Sequence, residues 1–381
     1  MRIAFYAPLK PPGHPLPSGD RRMANLLMEA LRLAGQEVEL ASRFRSRDGA
    51  GDAARQAWLA GLGAAMADRI LRLYRARPAT ARPECWFTYH LYYKAPDWLG
   101  PPVSRTLGIP YLVAEASVAP KRAGGPWDLG HRATLAALER ASAVITLNPN
   151  DAACLPATCP VHLIRPFLDP GPGRAAAGAR DRHRAALCRR FALDPGRPVV
   201  AAVAMMRPGD KLASYRLLAE ALARLPDLAW QLLVVGDGPA RGEVEQAIAA
   251  PAAGGGGHRV RFVGAVAERE LPALLAGCDL LAWPAVNEAY GMALLEAQAA
   301  GLPVVAGRSG GVEALVDSGE TGLLSDAGDV RAFAADLAAL LVDPERRERL
   351  GRAALAKVAR DHSLEQAAMG LERILETLRP V

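Results

Sequence analysis

The sequence predicts an α/β protein made of two Rossmann-like halves, on three observations. Short, continuous apolar runs alternate with amphipathic helical segments from one end of the chain to the other. That rhythm occurs twice, on either side of a stretch rich in Pro, Gly and Arg. At 381 residues the chain is also long for one hydrophobic core, so two domains are expected. Apolar runs of this kind, separated by helices, belong to parallel strands covered on both faces.

The first half opens with the strand RIAFYA (2–7), followed by the amphipathic helix ANLLMEALRLAG (24–35), which stops at Gly35. VELAS gives a second strand, and a long helix runs from residue 52 to 75. CWFTYH, PYLVAE and AVITL supply further strands. In the second half PVVAAVAM, WQLLVVG, RVRFVG, DLLAWP and PVVAG repeat the pattern. The seam lies at 166–197, where composition changes as in an interdomain connection. The expected division is therefore 1–170, a linker at 171–197, and a second domain at 198–360. A final helix, 361–381, begins with a capping box from Ser363 to Gln366. Its stripe of Leu364, Ala368, Leu371, Leu375 and Leu378 needs a partner, and the first domain is the candidate.

Composition narrows the class. The opening MRIAFYAPLKPPG lacks the apolar length of a secretory signal, and no run approaches the roughly 18–20 residues of a membrane span. Five cysteines, none in a C-x-x-C pair, point to a reducing cytoplasm and away from a cysteine-based metal site. Residues 1–165 carry 21 Lys and Arg against 13 Asp and Glu, whereas the remainder is close to balance. A basic first half suggests an anionic partner there, such as a phosphorylated acceptor or a lipid headgroup. Nucleic acid is not expected, because the arginines are scattered and no binding motif accompanies them. The 53–77 helix has two readings. Trp58, Leu59, Leu62, Ile70, Leu71 and Tyr74 pack on the sheet, or with Arg69, Arg72, Arg75 and Arg77 they lie peripherally on an anionic membrane at its cytoplasmic face.

Two glutamates carry the chemistry of the second half. In LLAWPAVNEAYGMALLEAQAAGLPVVA the strand ends at Pro284, and Gly291 opens a helix closed by Gly301-Leu302-Pro303. Glu288 then sits beyond the carboxyl end of a parallel strand, where open α/β sheets bind ligands. Glu296 lies one to two turns into the helix. The helix start at Gly291, Met292 and Ala293 offers N–H groups and a positive dipole end to a phosphate. Carboxylates accept hydrogen bonds from vicinal hydroxyls, as on a sugar or a ribose.

The stretch NEAYGMALLEAQAAGLPVVAGRSGGVEALVDSGETGLL (287–324) closely resembles the E-x7-E block of the family-4 retaining glycosyltransferases, formerly grouped as glycosyl transferases group 1. VAMMRPGDK (203–211) resembles their Arg/Lys donor-diphosphate block, and LLVVGDGP and VRFVGAV the next two strand-end turns. PSGDRRMANLL (17–27) stands where the family keeps a glycine-rich loop, and YHLYYKAP (89–96) where it keeps a histidine. The resemblance implies a GT-B fold: α/β, two facing Rossmann-like domains with parallel sheets and a cleft between them. The first domain would bind the acceptor and the second the nucleotide sugar, with closure about the linker excluding water.

It further implies a metal-independent, retaining hexosyltransferase that moves a sugar from a nucleotide-diphosphate donor to an acceptor hydroxyl in polysaccharide or glycolipid assembly, with no cofactor beyond that donor. Glu296 would hold the ribose and Glu288 a donor-sugar hydroxyl. The backbone of Tyr290, Gly291, Met292 and Ala293 would face the sugar and the distal phosphate. Arg207 and Lys211 would hold the diphosphate, Gly19 would admit it closely, and His90 would touch the donor sugar. The chain departs from the pattern in three places. Arg207 and Lys211 are four apart rather than five, the expected glycine pair is Ser18-Gly19, and Glu115 and Ser117 stand where many members place a histidine. The acceptor, a glycan, glycolipid or small molecule, is left open, with loops 42–52 and 115–127 as its candidate walls. A non-catalytic nucleotide-sugar-binding or scaffold subunit and a sugar-nucleotide epimerase or phosphorylase are the alternative readings.

Overall fold

The computed structural model describes residues 1–15, 18–225, 227–253 and 259–378. Pro17, the first residue of the loop motif at 17–27, and the last three residues of the final predicted helix lie outside them. The chain forms two compact units, Met1–Arg165 with Leu364–Val381, and Pro166–Ser363.

In the N-terminal unit the order is β1 (Arg2–Tyr6), α1 (Gly19–Leu33), β2 (Glu37–Leu40), α2 (Ala53–Ala76), β3 (Cys85–Tyr92), α3 (Gly100–Leu107), β4 (Tyr111–Ser117), α4 (Asp128–Glu139), β5 (Ala143–Thr146), α5 (Pro149–Ala152) and β6 (Val161–Leu163). All pairings are parallel, in the order β2-β1-β3-β4-β5-β6. Short strands buried at every position, such as AVIT, explain why the sequence shows no in-out alternation. Tyr6, Trp86, Leu99, Tyr111 and Val113 form the center of the core. Leu59, Ile70, Leu71 and Tyr74 bury one face of α2, while Trp58 and Leu62 of the same predicted stripe are exposed. Among the described residues no helix is long and apolar enough to cross a membrane.

The C-terminal unit begins with α6 (Gly171–Gly178) and α7 (Arg180–Phe191) and continues through β7 (Val199–Val203), α8 (Asp210–Ala223), β8 (Gln231–Val235), α9 (Arg241–Ala253), β9 (Val260–Gly264), α10 (Leu271–Ala276), β10 (Leu280–Trp283), α11 (Met292–Ala299), β11 (Val304–Arg308), α12 (Val312–Leu315), β12 (Gly322–Asp326), α13 (Val330–Val342) and α14 (Pro344–Asp361). Its sheet is also parallel, ordered β12-β11-β10-β7-β8-β9. The last helix, α15 (Leu364–Glu376), is part of the N-terminal unit and packs on α1.

Residues 171–197 differ from the expected linker. They form α6 and α7, which bury Ala176, Leu187 and Cys188 in the core of the C-terminal unit. The arginines that gave the segment its polar look are what tie it down. Arg180 and Arg184 each donate to Asp279 at 2.8 Å, and the Val199 N–H adds a third bond at 2.7 Å. A carboxylate with three donors, two of them cationic, fixes the start of β7 and β10 against the two helices.

Candidate functional site

Each sheet has one point where the strand order reverses. In the C-terminal unit the chain runs from β7 outward through β8 and β9, then crosses to β10 and runs outward the other way. The crevice at the carboxyl ends of β7 and β10 is thus the topological switch point, the default ligand position in an open parallel sheet. Arg207 and Lys211 follow β7, and Glu288 to Ala293 follow β10, so the candidate residues of this half flank that point.

The loop after β10 is held in an uncommon shape. Ala285, Asn287 and Gly291 all have positive φ (57°, 46° and 75°). Non-glycine residues in that region cost on the order of 1–3 kcal/mol each and persist only where the surroundings impose them. Here the Val286 N–H donates to Ser214 Oγ (3.0 Å), Asn287 Nδ2 to Asp210 Oδ1 (3.1 Å) and the Glu288 N–H to Ser309 Oγ (3.2 Å). Gly310, at φ +51°, lies so close beneath that an added Cβ would stand 2.1 Å from the Glu288 carbonyl oxygen. A neighboring backbone cannot yield to such a contact, so glycine is required there.

This frame presents Glu288. Its Oε2 accepts from Lys211 Nζ and, at 3.0 Å, from the indole N–H of Trp283. Lys211 Nζ also lies 5.4 Å from the Trp283 ring centroid. Trp283 is fixed by an edge-on contact with Tyr215, 5.0 Å between centroids, and Tyr215 donates to the Ala204 carbonyl at 2.9 Å. Both donors engage one carboxylate oxygen, and among the described residues none engages Oε1, which can accept from a hydroxyl. Lys211 has three N–H bonds and gives one to Glu288, so two remain for an anion. Trp283 was not among the candidate residues. Its signal, a Trp at the last position of a strand five residues before a glutamate, reads as core until the ion pair above it is seen.

Gly291 caps α11 in the left-handed conformation with no side-chain bond to the helix start. The first-turn positions Met292 and Ala293 are half-buried, and a Cβ on Gly291 would lie 3.6 Å from the Glu288 Cγ. Glu296 stands half-buried on the second turn, and Tyr290 is half-buried just before the cap. Arg207 is exposed in the loop between β7 and α8 and makes no ion pair among the described residues. The turn after β8 presses against that loop. A Cβ on Gly236 would lie 1.9 Å from the Ala204 carbonyl oxygen, and one on Gly238 2.3 Å from that of Met206.

The N-terminal unit reverses its strand order between β1 and β3. His90 lies near the end of β3 with φ +65°, and its Nδ1 is 3.1 Å from Asp20 Oδ1 on the first turn of α1. The carboxylate fixes the proton on Nδ1 and leaves Nε2 as the ring's other polar atom. Burial opposes the charge on Asp20. The hydrogen bond and charge of His90, with Lys10 nearby, nevertheless hold its carboxyl below the ordinary value. Asp20 was not foreseen from the sequence. Gly19 starts α1 behind the cap Ser18, whose Oγ accepts from the Arg21 N–H at 3.2 Å. A Cβ on Gly19 would meet nothing within 4 Å. Glu115, with φ +60° near the end of β4, accepts from the Leu147 N–H at 2.6 Å, and burial pushes its carboxyl up to about 7.

Residues 192–357, all in the C-terminal unit, match the family model of glycosyl transferases group 1. The chain is similar to the D-inositol 3-phosphate glycosyltransferase of Corynebacterium diphtheriae, 40% identical over 38% of this chain and 34% of that protein. It is also similar to the protein of the same name from Salinispora tropica, 36% identical over 55% of this chain and 45% of the relative. The chain therefore spans between about a third and a half the length of these curated relatives. Among solved structures, a sucrose-phosphate synthase from Thermosynechococcus elongatus aligns with a TM-score of 0.72 over 99% of this chain and 98% of its own, at 21% identity. HepE of Anabaena in complex with UDP-glucose aligns at 0.69 over 99% of each chain, at 19% identity. At these identities the likeness is one of fold, and the fold is the α/β GT-B type with two six-stranded parallel sheets.

Proposed function

We propose that the protein is a retaining glycosyltransferase that takes a sugar from a nucleoside-diphosphate donor without a metal ion. The observation that carries this reading is the cluster at the β7/β10 switch point, where Lys211, Glu288 and the uncapped start of α11 meet. A diphosphate leaving as the glycosidic bond breaks gains negative charge. Lys211, Arg207 and the α11 N–H groups are the groups that stabilize it. Glu288 Oε1 accepts a hydroxyl of the donor sugar, and its anchoring by Lys211 and Trp283 holds that acceptor in place before the ligand arrives. Glu296 accepts the ribose hydroxyls.

The group 1 family match over 192–357 and the UDP-glucose bound by HepE, a neighbor of the same fold, support a uridine diphosphate sugar as the donor to try first. The N-terminal unit receives the acceptor, and His90, with its Nδ1 against Asp20, is the group of that unit that touches the donor sugar. The product belongs to glycan or glycolipid assembly. The test is turnover of UDP-glucose and related nucleotide sugars with EDTA present, followed by NMR of the anomeric proton of the product. Release of UDP with the donor's anomeric configuration kept supports the reading. Turnover that stops with EDTA and returns with a divalent ion removes metal independence, and an inverted product removes the retaining mechanism.

A further inference from the structure

A second charged cluster lies in the N-terminal unit, in the loops that follow β2, β3 and β4. The rings of Tyr93 and Trp127 stand edge to face, 5.8 Å apart. Two cations rest on this one pair. Lys94 Nζ is 5.0 Å from the Trp127 centroid and Arg122 Cζ 4.9 Å from it, with 5.8 and 5.1 Å to Tyr93. They therefore stand within about one Debye length of each other. Like charges so placed repel, and the ring quadrupoles offset only part of that.

Among the described residues no carboxylate is ion-paired with either cation. Asp48 accepts from the N–H groups of Ala50, Gly51 and Asp52 and from Gln56 Nε2, while Asp97 accepts from Leu99, Gly100, Thr88 and Tyr111. Asp52 caps α2, and Asp128 holds the Gly124 N–H and Arg132. Among the described residues neither Lys94 nor Arg122 has an acidic partner, and Arg122 Nε is buried without a hydrogen bond. A guanidinium N–H left unmet in a buried position is costly.

The loops are also fixed in advance. Asp48 is 2% exposed and joins all three: its N–H donates to the Lys94 carbonyl at 2.8 Å, and its own carbonyl accepts from the Trp127 indole at 3.2 Å. Gln56 Nε2 adds a bond of 2.8 Å to the Pro126 carbonyl. A Cβ on Gly130 would meet the Tyr93 carbonyl oxygen at 2.1 Å.

We infer that Lys94 and Arg122 form a preformed site for a phosphate group, a monoester or diester carried by the acceptor. An Arg fork beside a Lys point charge suits phosphate oxygens. The inference rests on the proposed reading only in naming the ligand an acceptor, since the anion site itself is independent of donor binding.

The test is calorimetry at low salt with inorganic phosphate, glucose 6-phosphate and glucose. Both anionic probes bind the wild type and glucose does not. Arg122→Gln and Lys94→Gln each weaken binding by roughly tenfold, with unchanged melting temperatures. Cosedimentation with phosphatidylglycerol and phosphatidylcholine vesicles separates the sources. Selective binding to the anionic vesicles that both variants lose, without binding of the soluble probes, identifies a lipid-borne phosphate. Anion binding that both variants retain, or its absence in every arm, overturns the site. UDP-glucose titrated into wild type and Glu296→Ala reports on the donor reading separately, so either proposal can fall alone.

Discussion

In the C-terminal unit, Lys211 and Glu288 form an ion pair, and Trp283 touches both. In the N-terminal unit the carboxylates of the corresponding loops are engaged by backbone N–H groups, while Lys94 and Arg122 stand on aromatic rings with no acid beside them among the described residues. Both sheets are parallel, six-stranded and reversed in order at one point, so topology does not account for the contrast. The paired arrangement costs little in self-repulsion and presents a hydroxyl acceptor and a cation together, as a sugar diphosphate requires. The unpaired one is charged to receive an anion. The family match lies entirely within the first kind of unit.

The sharpest way to break this contrast is to remove the paired cation. Lys211→Ala is expected to lower kcat by about 10²–10³, the usual effect of losing one preorganized anion-stabilizing group. Lys211→Arg should restore little, since its planar fork does not fit a point contact to one carboxylate oxygen. Initial rates of nucleotide release on saturating donor measure both. Equal rates for wild type and Lys211→Ala would mean the ion pair is only structural.

Gly310→Ala tests the frame beneath the pair. Its Cβ would stand 2.1 Å from the Glu288 carbonyl oxygen in a backbone with φ +51°, so a loss on the order of 2–3 kcal/mol is expected in chemical denaturation. A variant as stable as wild type would show that the loop after β10 is not held by this contact.

On the other unit, Glu115 gives a prediction in pH. Burial pushes its carboxyl from the ordinary 4.5 up to about 7, against the Leu147 N–H bond. Between those values the folded chain keeps a proton that the unfolded chain has lost, so stability falls as pH rises from 4.5 to 7. The span corresponds to roughly 3 kcal/mol. Glu115→Gln should remove this fall, and an unaltered stability-pH curve for the variant would refute the assignment.

The smallest effect belongs to Gly19→Ala. With nothing within 4 Å of the added Cβ, stability should stay within about 0.5 kcal/mol of wild type. A fall in turnover at unchanged melting temperature would assign the missing side chain to a bound ligand. A large loss of stability would show instead that the start of α1 needs the glycine.

Much of this was legible in the sequence because local pattern encodes it. Five strands of each sheet, the cap at Gly291 and the position of Glu288 past a strand end all follow from apolar runs and Gly/Pro punctuation, whereas the edge strands β6 and β12 were not foreseen. Residues 171–197 were read as a linker with one short helix, because polar arginines mask a second helix and an anchor, Asp279, that lies about a hundred residues away. The partners of the candidate residues were hidden for the same reason. Lys211 and Glu288 are 77 positions apart, and His90 finds Asp20 only once β1 and β3 are neighbors. The cations at 94 and 122 look like solvated surface until the Asp48 hub brings their loops together.

The central claim is that the β7/β10 switch point of the C-terminal unit holds a nucleoside-diphosphate sugar. Calorimetric titration of UDP-glucose, with EDTA, into wild type, Glu296→Ala and Lys211→Ala tests it most directly. A saturable heat in wild type that falls by roughly tenfold or more in affinity in each variant, with melting temperatures unchanged, is the expected result. Wild-type binding that both variants retain would put the nucleotide sugar elsewhere and contradict the account.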